Sequence, residues 1–366
     1  MIPPAPGAPR TTPSTSPALD VVGLGLACVD DLLLLSNLPG PEGRASILRR
    51  EQHGGGMAAT AMVAVVRLGG RAGFVAKVGD DPLGQFILED FRRYGVDVSR
   101  AVVEAGATSH LTVVLVESGS GARTFLGQRG TVRPLRPEQL DRAYVTSAPF
   151  LHVSDADPAA LQAARWAKEA GREVCFDGTH FYPAIMQLLP LLDYLIVSRF
   201  FAAEFVAHQE GRGLSAAARL FAAPQLAASS PAGAGPHAPP APQPHGVAHG
   251  VAVIPELCGE ELLHAAAKLQ RLGPPVVVIT EGERGSWCVS DEGHFHVPAY
   301  PPQGEVVDTT GAGDVFHGAF LFARARGWSL RRALHVAAVV AAMKCRALGG
   351  RAGIPTLDEA LQVLPA

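Results

Sequence analysis

Asp308-Thr-Thr-Gly-Ala-Gly-Asp314, continuing into Val315-Phe-His-Gly-Ala-Phe320, is the stretch whose reading decides the fold. It reads as a glycine-rich turn that opens a helix, with a carboxylate at its mouth. Gly311, Ala312 and Gly313 present backbone N–H groups to one point. The helix adds the positive end of its dipole, so that point suits an anion such as a phosphoryl group in transfer. Asp314 stands where it can take a proton from a hydroxyl approaching the same point. An anion hole beside a general base is the minimum apparatus for phosphoryl transfer to an alcohol, which needs positioning and electrostatics more than covalent help. Asp and Thr are also ordinary helix-capping residues. Two threonines and two glycines between two aspartates are more than a cap requires.

The bulk properties narrow the field. A chain of 366 residues suffices for one large α/β domain or two smaller ones. A net charge of −3 and a pI of 6.5 leave no basic footprint for nucleic acid or an anionic membrane. Lysine occurs only at 77, 168, 268 and 344, so neither glycine-rich stretch carries one, which excludes a P-loop. The five cysteines (28, 175, 258, 288 and 345) lack C-x-x-C spacing, against a zinc site or disulfide framework and in keeping with a reducing cytoplasm. No apolar run approaches the ~18–20 residues of a membrane span. The first residues lack the pattern of a signal peptide. The expectation is a cytoplasmic, enzyme-sized protein.

Along the chain, residues 1–19 read as a disordered leader of Pro, Ser, Thr and Ala. Val21–Val29 reads as one buried strand with Asp30 and Asp31 at its tip. A helix over about Met57–Leu68 stops at Gly69-Gly70, and another over about Leu83–Tyr94 stops at Gly95, with a strand at Gly73–Val78 between them. Leu111–Val116 is β-branched and pairs with Thr124–Leu126. From Phe150 strands and helices alternate: Phe150–Val153, Pro158–Ala170, Glu173–Phe176, Tyr194–Val197 and Val276–Ile279. That rhythm predicts a doubly wound, mostly parallel sheet with helices on both faces. A Pro/Ala-rich insertion over about 210–250 interrupts it, and Ser329–Arg346 reads as the last helix. Gly23-Leu-Gly25 alone does not make a dinucleotide fingerprint, because Cys28 stands where a third glycine belongs.

Gly54-Gly-Gly-Met-Ala-Ala-Thr60 leads through Ala61–Leu68 to Gly69, followed by Val78-Gly-Asp-Asp81 and Gly84. With 308–314 this resembles the paired signatures of the ribokinase-like (PfkB) carbohydrate kinases, over about residues 20–210 and 255–360. The resemblance implies an α/β ribokinase-like domain over 20–360, with a small β lid from about 40–54 and 108–130. It implies ATP and Mg2+, a sugar-type substrate, and a homodimer through the lid. Asp30 resembles the aspartate that binds substrate hydroxyls, with Gly55 and Gly56 letting backbone approach the same ligand. Thr60 stands where the family has Asn, and Asp155 is placed at the acceptor site. Thr280, Gly282 and Gly285 after the Val276–Ile279 strand, with Ser198 and Ala338, are placed around ATP. Asp308 and Thr310, closed by Gly349 and Gly353, are implied to hold a monovalent cation, usually K+.

This sequence departs from the family in two ways. The family's N-x-x-E is here Ser198-Arg-Phe-Phe201, which leaves Glu204 or Asp177 as the nearby acids for Mg2+, unless ATP holds the ion. The motifs 54–61, 307–319 and 349–355 are closest to sulfofructose kinases, where Arg44 would face the sulfonate. Asp155 and Asp157 put acids where such a substrate wants a cation. A sugar-phosphate kinase, a sugar-binding regulatory protein of the same fold, and a nucleoside kinase are the other readings.

Overall fold

Apolar runs set the main sheet, and alternate residues of each run feed different cores. The computed structural model describes residues 18–213, 215, 218, 219, 256–302 and 304–364. Nearly all of the expected leader and most of the expected insertion therefore lie outside the described residues. The strands begin with β1 (Val21–Leu24), β2 (Cys28–Leu35), β3 (Ile47–Gly55), β4 (Ala72–Val75) and β5 (Lys77–Gly79). They continue with β6 (Val102–Glu104), β7 (His110–Glu117), β8 (Arg123–Gln128), β9 (Phe150–Val153) and β10 (Glu173–Gly178). The last are β11 (Tyr194–Ser198), β12 (Val276–Thr280), β13 (Ser286–Ser290) and β14 (Gly293–Val297).

The described α-helices are α1 (Met57–Arg67), α2 (Pro82–Tyr94), α3 (Arg142–Val145), α4 (Pro158–Glu169) and α5 (Arg199–Gln209). After them come α6 (Glu260–Gln270), α7 (Ala312–Ala325), α8 (Leu330–Lys344) and α9 (Leu357–Val363). None is long and apolar enough to cross a membrane. Local chemistry sets several boundaries. Asp81 and Asp157 each cap a helix whose first residue is proline, accepting from Gly84 N at 2.9 Å and Ala160 N at 2.7 Å. Gly95 closes α2 in the left-handed conformation at φ 82.

The large sheet has the order β14-β13-β12-β11-β10-β9-β1-β4, parallel from β4 to β12 and antiparallel at β13 and β14. Val21, Cys175, Ile196 and Val278 point into one core, with α1, α7 and α8. Their neighbours Val22, Val174, Leu195 and Val277 point into the other, with α4, α5 and α6. Period-2 alternation with apolar residues on both sides is what a sheet covered by helices on each face demands. The expected doubly wound, mostly parallel sheet is what forms.

A separate four-stranded sheet has the order β3-β2-β7-β8. Val21–Val29 is not one strand. The chain leaves the large sheet after Leu24 and enters the second sheet at Cys28, so Asp30 and Asp31 lie within β2 rather than at a strand tip. Gly73–Val78 likewise divides into β4 and β5. The Thr124–Leu126 pairing falls as expected, with Leu126 opposite Val113. The β13–β14 hairpin was not anticipated, and α9 follows what reads as the last helix.

Candidate active site

Parallel strands deliver their carboxyl ends to one edge of the large sheet, where ligands of open α/β sheets bind. Strand order reverses between β1, which continues to β4 on one side, and β9, which lies on the other. Gly25 follows β1 and Asp155 follows β9 at this switch point. A β-carbon on Gly25 would stand 2.4 Å from Ser154 Oγ and 3.6 Å from Asp155 Oδ2, so the two strand ends touch through a missing side chain.

The N-terminus of α7 faces the same edge. Gly311, the capping residue just before it, takes φ 75, and a β-carbon there would meet the Gly350 Cα at 2.7 Å. Only glycine fits this crossing of the 308–313 turn and the loop after α8. Gly313 is exposed, and a β-carbon on it would meet nothing within 4 Å. The turn thus opens onto free space. Asp308 is fully buried beneath it, its carboxylate accepting from Thr310 N and Gly349 N, each at 2.8 Å. Its backbone oxygen accepts from Lys344 Nζ at 2.7 Å, and that side chain is also fully buried. Three oxygens of Asp308 are therefore already satisfied by protein donors, one of them an ammonium. Thr310 Oγ1, by contrast, is buried with no hydrogen-bond partner among the described residues.

Asp30 lies on β2 opposite His53 and Thr112, and Cys28 Sγ donates to its Oδ1 at 3.4 Å. Its carboxylate rests on the backbone of Gly55. Gly56 is held at φ 102 with its Cα against the Leu26 carbonyl. Thr60 is placed differently from expectation. It is 2 % exposed, and its Oγ1 accepts from Arg351 Nε at 3.4 Å, so it faces a buried cation and not an acceptor. Arg351, 1 % exposed, also donates to Gly55 O at 3.2 Å, pairs with Asp90 at 2.5 Å, and stacks over Phe91. Its guanidinium locks the backbone on which Asp30 lies.

Four carboxyls converge here. Burial first, and then the Asp30 charge, push the Asp314 carboxyl up to about 7, while Lys344, Arg351 and Arg123 pull it back. Burial also raises Asp30, and it takes Asp155 to about 7 with help from Asp157. Asp177, at the end of β10, is pushed well above the usual carboxylate range by burial, then by Asp314 and Asp155. Its Oδ1 lies 3.2 Å from His317 Nε2 one turn beyond Asp314, and burial drives that imidazole well below its usual pKa. A carboxyl poised near neutrality beside an anion turn is suited to accept a hydroxyl proton.

The sequence matches the family described as "pfkB family carbohydrate kinase" over residues 20–228 and 256–357. The chain belongs to that family. This carbohydrate kinase is 30 % identical over 325 residues to aminoimidazole riboside kinase of Salmonella typhimurium, covering 83 % of this chain and 86 % of the relative. It is 27 % identical over 340 residues to ATP-dependent ribose-1-phosphate kinase of Halopiger xanaduensis, covering 92 % and 95 %. Its fold matches that of Arabidopsis thaliana ribokinase, solved with ribose and ATP, at a TM-score of 0.72 and 21 % identity, covering 95 % and 99 %.

The residues expected around the nucleotide lie as follows. Ser198 caps α5, accepting from Phe201 N at 3.2 Å and donating to Thr179 O at 2.7 Å. Thr280 Oγ1 donates to Val197 O at 3.3 Å. Gly282 has open space around its Cα. Gly285 is glycine for another reason: a β-carbon there would strike the Val297 carbonyl at 2.1 Å. Ala338 is half-buried on α8 against the core. Glu204 does not fit magnesium. It is 3 % exposed and accepts from Phe181 N at 2.8 Å, with His180 and Ser215 on its other oxygen. Arg44 is exposed in the connection between β2 and β3, and among the described residues no hydrogen bond or ion pair anchors it. Lys344, Arg351 and His317 as the partner of Asp177 escaped the sequence reading. Two cations beside a Gly-Gly loop were the available signal.

Proposed function

We propose that this carbohydrate kinase transfers the γ-phosphoryl group of MgATP to a hydroxyl of a sugar or sugar derivative bound between Asp30 and Asp314. The observation that carries the reading is Asp314 in the first turn of α7, raised to about 7 and flanked by the open Gly311–Gly313 turn. Asp30 and Asp155 accept hydrogen bonds from acceptor hydroxyls and orient one of them toward Asp314. Asp314 takes that hydroxyl's proton as its oxygen attacks the γ-phosphorus in line. The bond from phosphorus to the ADP oxygen breaks, a phosphate ester forms, and ADP leaves. Backbone N–H groups of Gly311 and Gly313 hold the equatorial oxygens while negative charge spreads over them, the Ala312 N–H being turned to Thr309 O at 3.2 Å. Magnesium arrives with ATP as part of the substrate. Ser198, Thr280, Gly282, Gly285 and Ala338 line the nucleotide side of this reading.

The second sheet serves as the lid, with β2 as its floor. Its edge strands β3 and β8 carry Ile47, Leu48, Phe125 and Leu126, 53–58 % exposed, which supports pairing of two lids in a homodimer. Carboxyls on the acceptor side favour a polyhydroxylated acceptor over a sulfonate, and Arg351 is committed to Asp90. A cytoplasmic location follows the reading of the cysteines. ADP release from MgATP across sugars, sugar acids, sugar phosphates and nucleosides tests the proposal, with Asp314→Asn as the blank. Turnover on one class that the variant abolishes supports it. Silence across the panel with sugar binding intact would leave a sugar sensor of the same fold.

A further inference from the structure

Where a free monovalent ion would sit beside the anion turn, the chain has placed an ammonium of its own. We propose that Lys344 is a built-in cation of this kinase, holding the 308–313 turn in place of potassium and making nucleotide binding and turnover independent of that ion. The inference rests on the assignment of the 311–313 turn as the nucleotide's anion hole.

The turn and the loop after α8 are tied together at several points. Val307 N and Asp308 N both donate to Cys345 O, at 2.9 and 3.2 Å. Asp308 returns the tie through its carboxylate, which accepts from Gly349 N across the gap and from Thr310 N within the turn. Lys344 Nζ completes it on the Asp308 carbonyl. Gly353 packs its Cα against the Lys344 carbonyl, where a β-carbon would stand 2.2 Å away. A hard monovalent ion needs several oxygens free to face one point. Here those of Asp308 face donors, the Lys344 oxygen faces the backbone at 353, and Thr310 Oγ1 is the one buried side-chain oxygen of the turn left without a partner.

Charge points the same way. The ammonium lies among Asp308, Asp314 and Arg123. Burial lowers its pKa, but the two carboxylates oppose that loss. A second cation entering beside it would meet a like charge in a water-poor setting. A potassium ion exchanges with solvent, whereas a lysine tethered to the end of α8 does not. The anion turn is therefore held whether or not nucleotide or salt is present.

Calorimetric titration of MgADP into the wild type and Lys344→Met, in potassium chloride and in choline chloride at equal ionic strength, tests this alongside the thermal midpoint in each salt. The wild type is expected to give the same affinity and the same Tm in both salts. Lys344→Met is expected to lose about tenfold or more in MgADP affinity, as removal of a charged hydrogen bond does. A saturable rise in wild-type affinity or Tm with potassium would overturn the proposal, and so would a folded Lys344→Met with wild-type affinity. If that variant fails to fold, the wild-type salt comparison decides alone. Absence of MgADP binding in both salts would instead defeat the nucleotide reading, and the Tm comparison would still report on the cation.

Discussion

A β-carbon built on Gly55 would stand 2.3 Å from Oδ2 of Asp30. The carboxylate lies directly on the strand beside it, and β3 omits a side chain to let it. Gly55→Ala is therefore expected to push Asp30 off its seat without touching the nucleotide side. Sugar affinity should fall by about tenfold or more, equivalent to about 1.4 kcal/mol, while MgADP affinity is kept. Calorimetry with each ligand separates the two, and equal losses in both would sink the assignment of Asp30.

Asp314→Asn should cost several decades in turnover and yet stabilise the fold above neutrality. The folded carboxyl titrates at about 7, above the ordinary carboxylate value, so the folded state binds more protons than the unfolded chain between those limits. The stability this group contributes is full below the unfolded pKa and is lost as pH rises through about 7. The amide carries no such penalty. Its Tm should exceed that of the wild type at pH 8, with the gap closing as pH falls toward 4. A gap that widens on acidification would contradict the reading.

On the proposed mechanism the same carboxyl sets the pH dependence of the wild-type rate. With the base half-ionised near pH 7, kcat/KM should fall about tenfold per unit on the acid side of that point, because this parameter reports the free enzyme's essential base. A pH–rate profile flat from 5 to 8 would remove Asp314 from that role.

Gly313→Ala should separate activity from stability. The position lies in the first turn of α7 with open space beside it, and its φ is not among the positive ones. Alanine is expected to leave stability unchanged or raise it by up to about 1 kcal/mol, while its methyl intrudes where the phosphoryl oxygens bind. Urea denaturation and ADP release check the two halves. Unchanged turnover would show that the turn faces elsewhere.

Arg351→Met should destabilise the protein by about 3–5 kcal/mol, because it strands the buried Asp90 carboxylate. Asp90→Asn combined with it should recover much of that loss, since the amide needs no counter-charge. Chemical denaturation of the single and double variants measures both. A double variant as unstable as the single would mean that Arg351 acts through Gly55 and Phe91 and not through Asp90.

The 308–314 turn was legible because its chemistry is local: glycines, a helix start and a carboxylate within one short stretch. The strand–helix rhythm after Phe150 was legible for a similar reason, each element carrying its own apolar period and cap. What escaped depended on partners far along the chain. Cys28 and Val29 continue an apolar run from β1, and nothing in the run shows that their hydrogen bonds go to a different sheet. Nothing next to Arg351 or Lys344 in the sequence names a partner for either charge. Only the packing of Phe91, Asp90 and Asp308 around them makes them interior groups. Glu204 sat at plausible spacing for a metal-organising acid, but one turn of α5 carries it down to the Phe181 amide.

Between Leu24 and Cys28 the chain passes from one sheet into the other, so residues 25–27 join the large sheet to the strand that carries Asp30. Asp30 is one of the charges that raise the Asp314 carboxyl. On the proposed reading of the second sheet as a lid, a change of its angle about this joint would change their separation, and with it the proton affinity of the base.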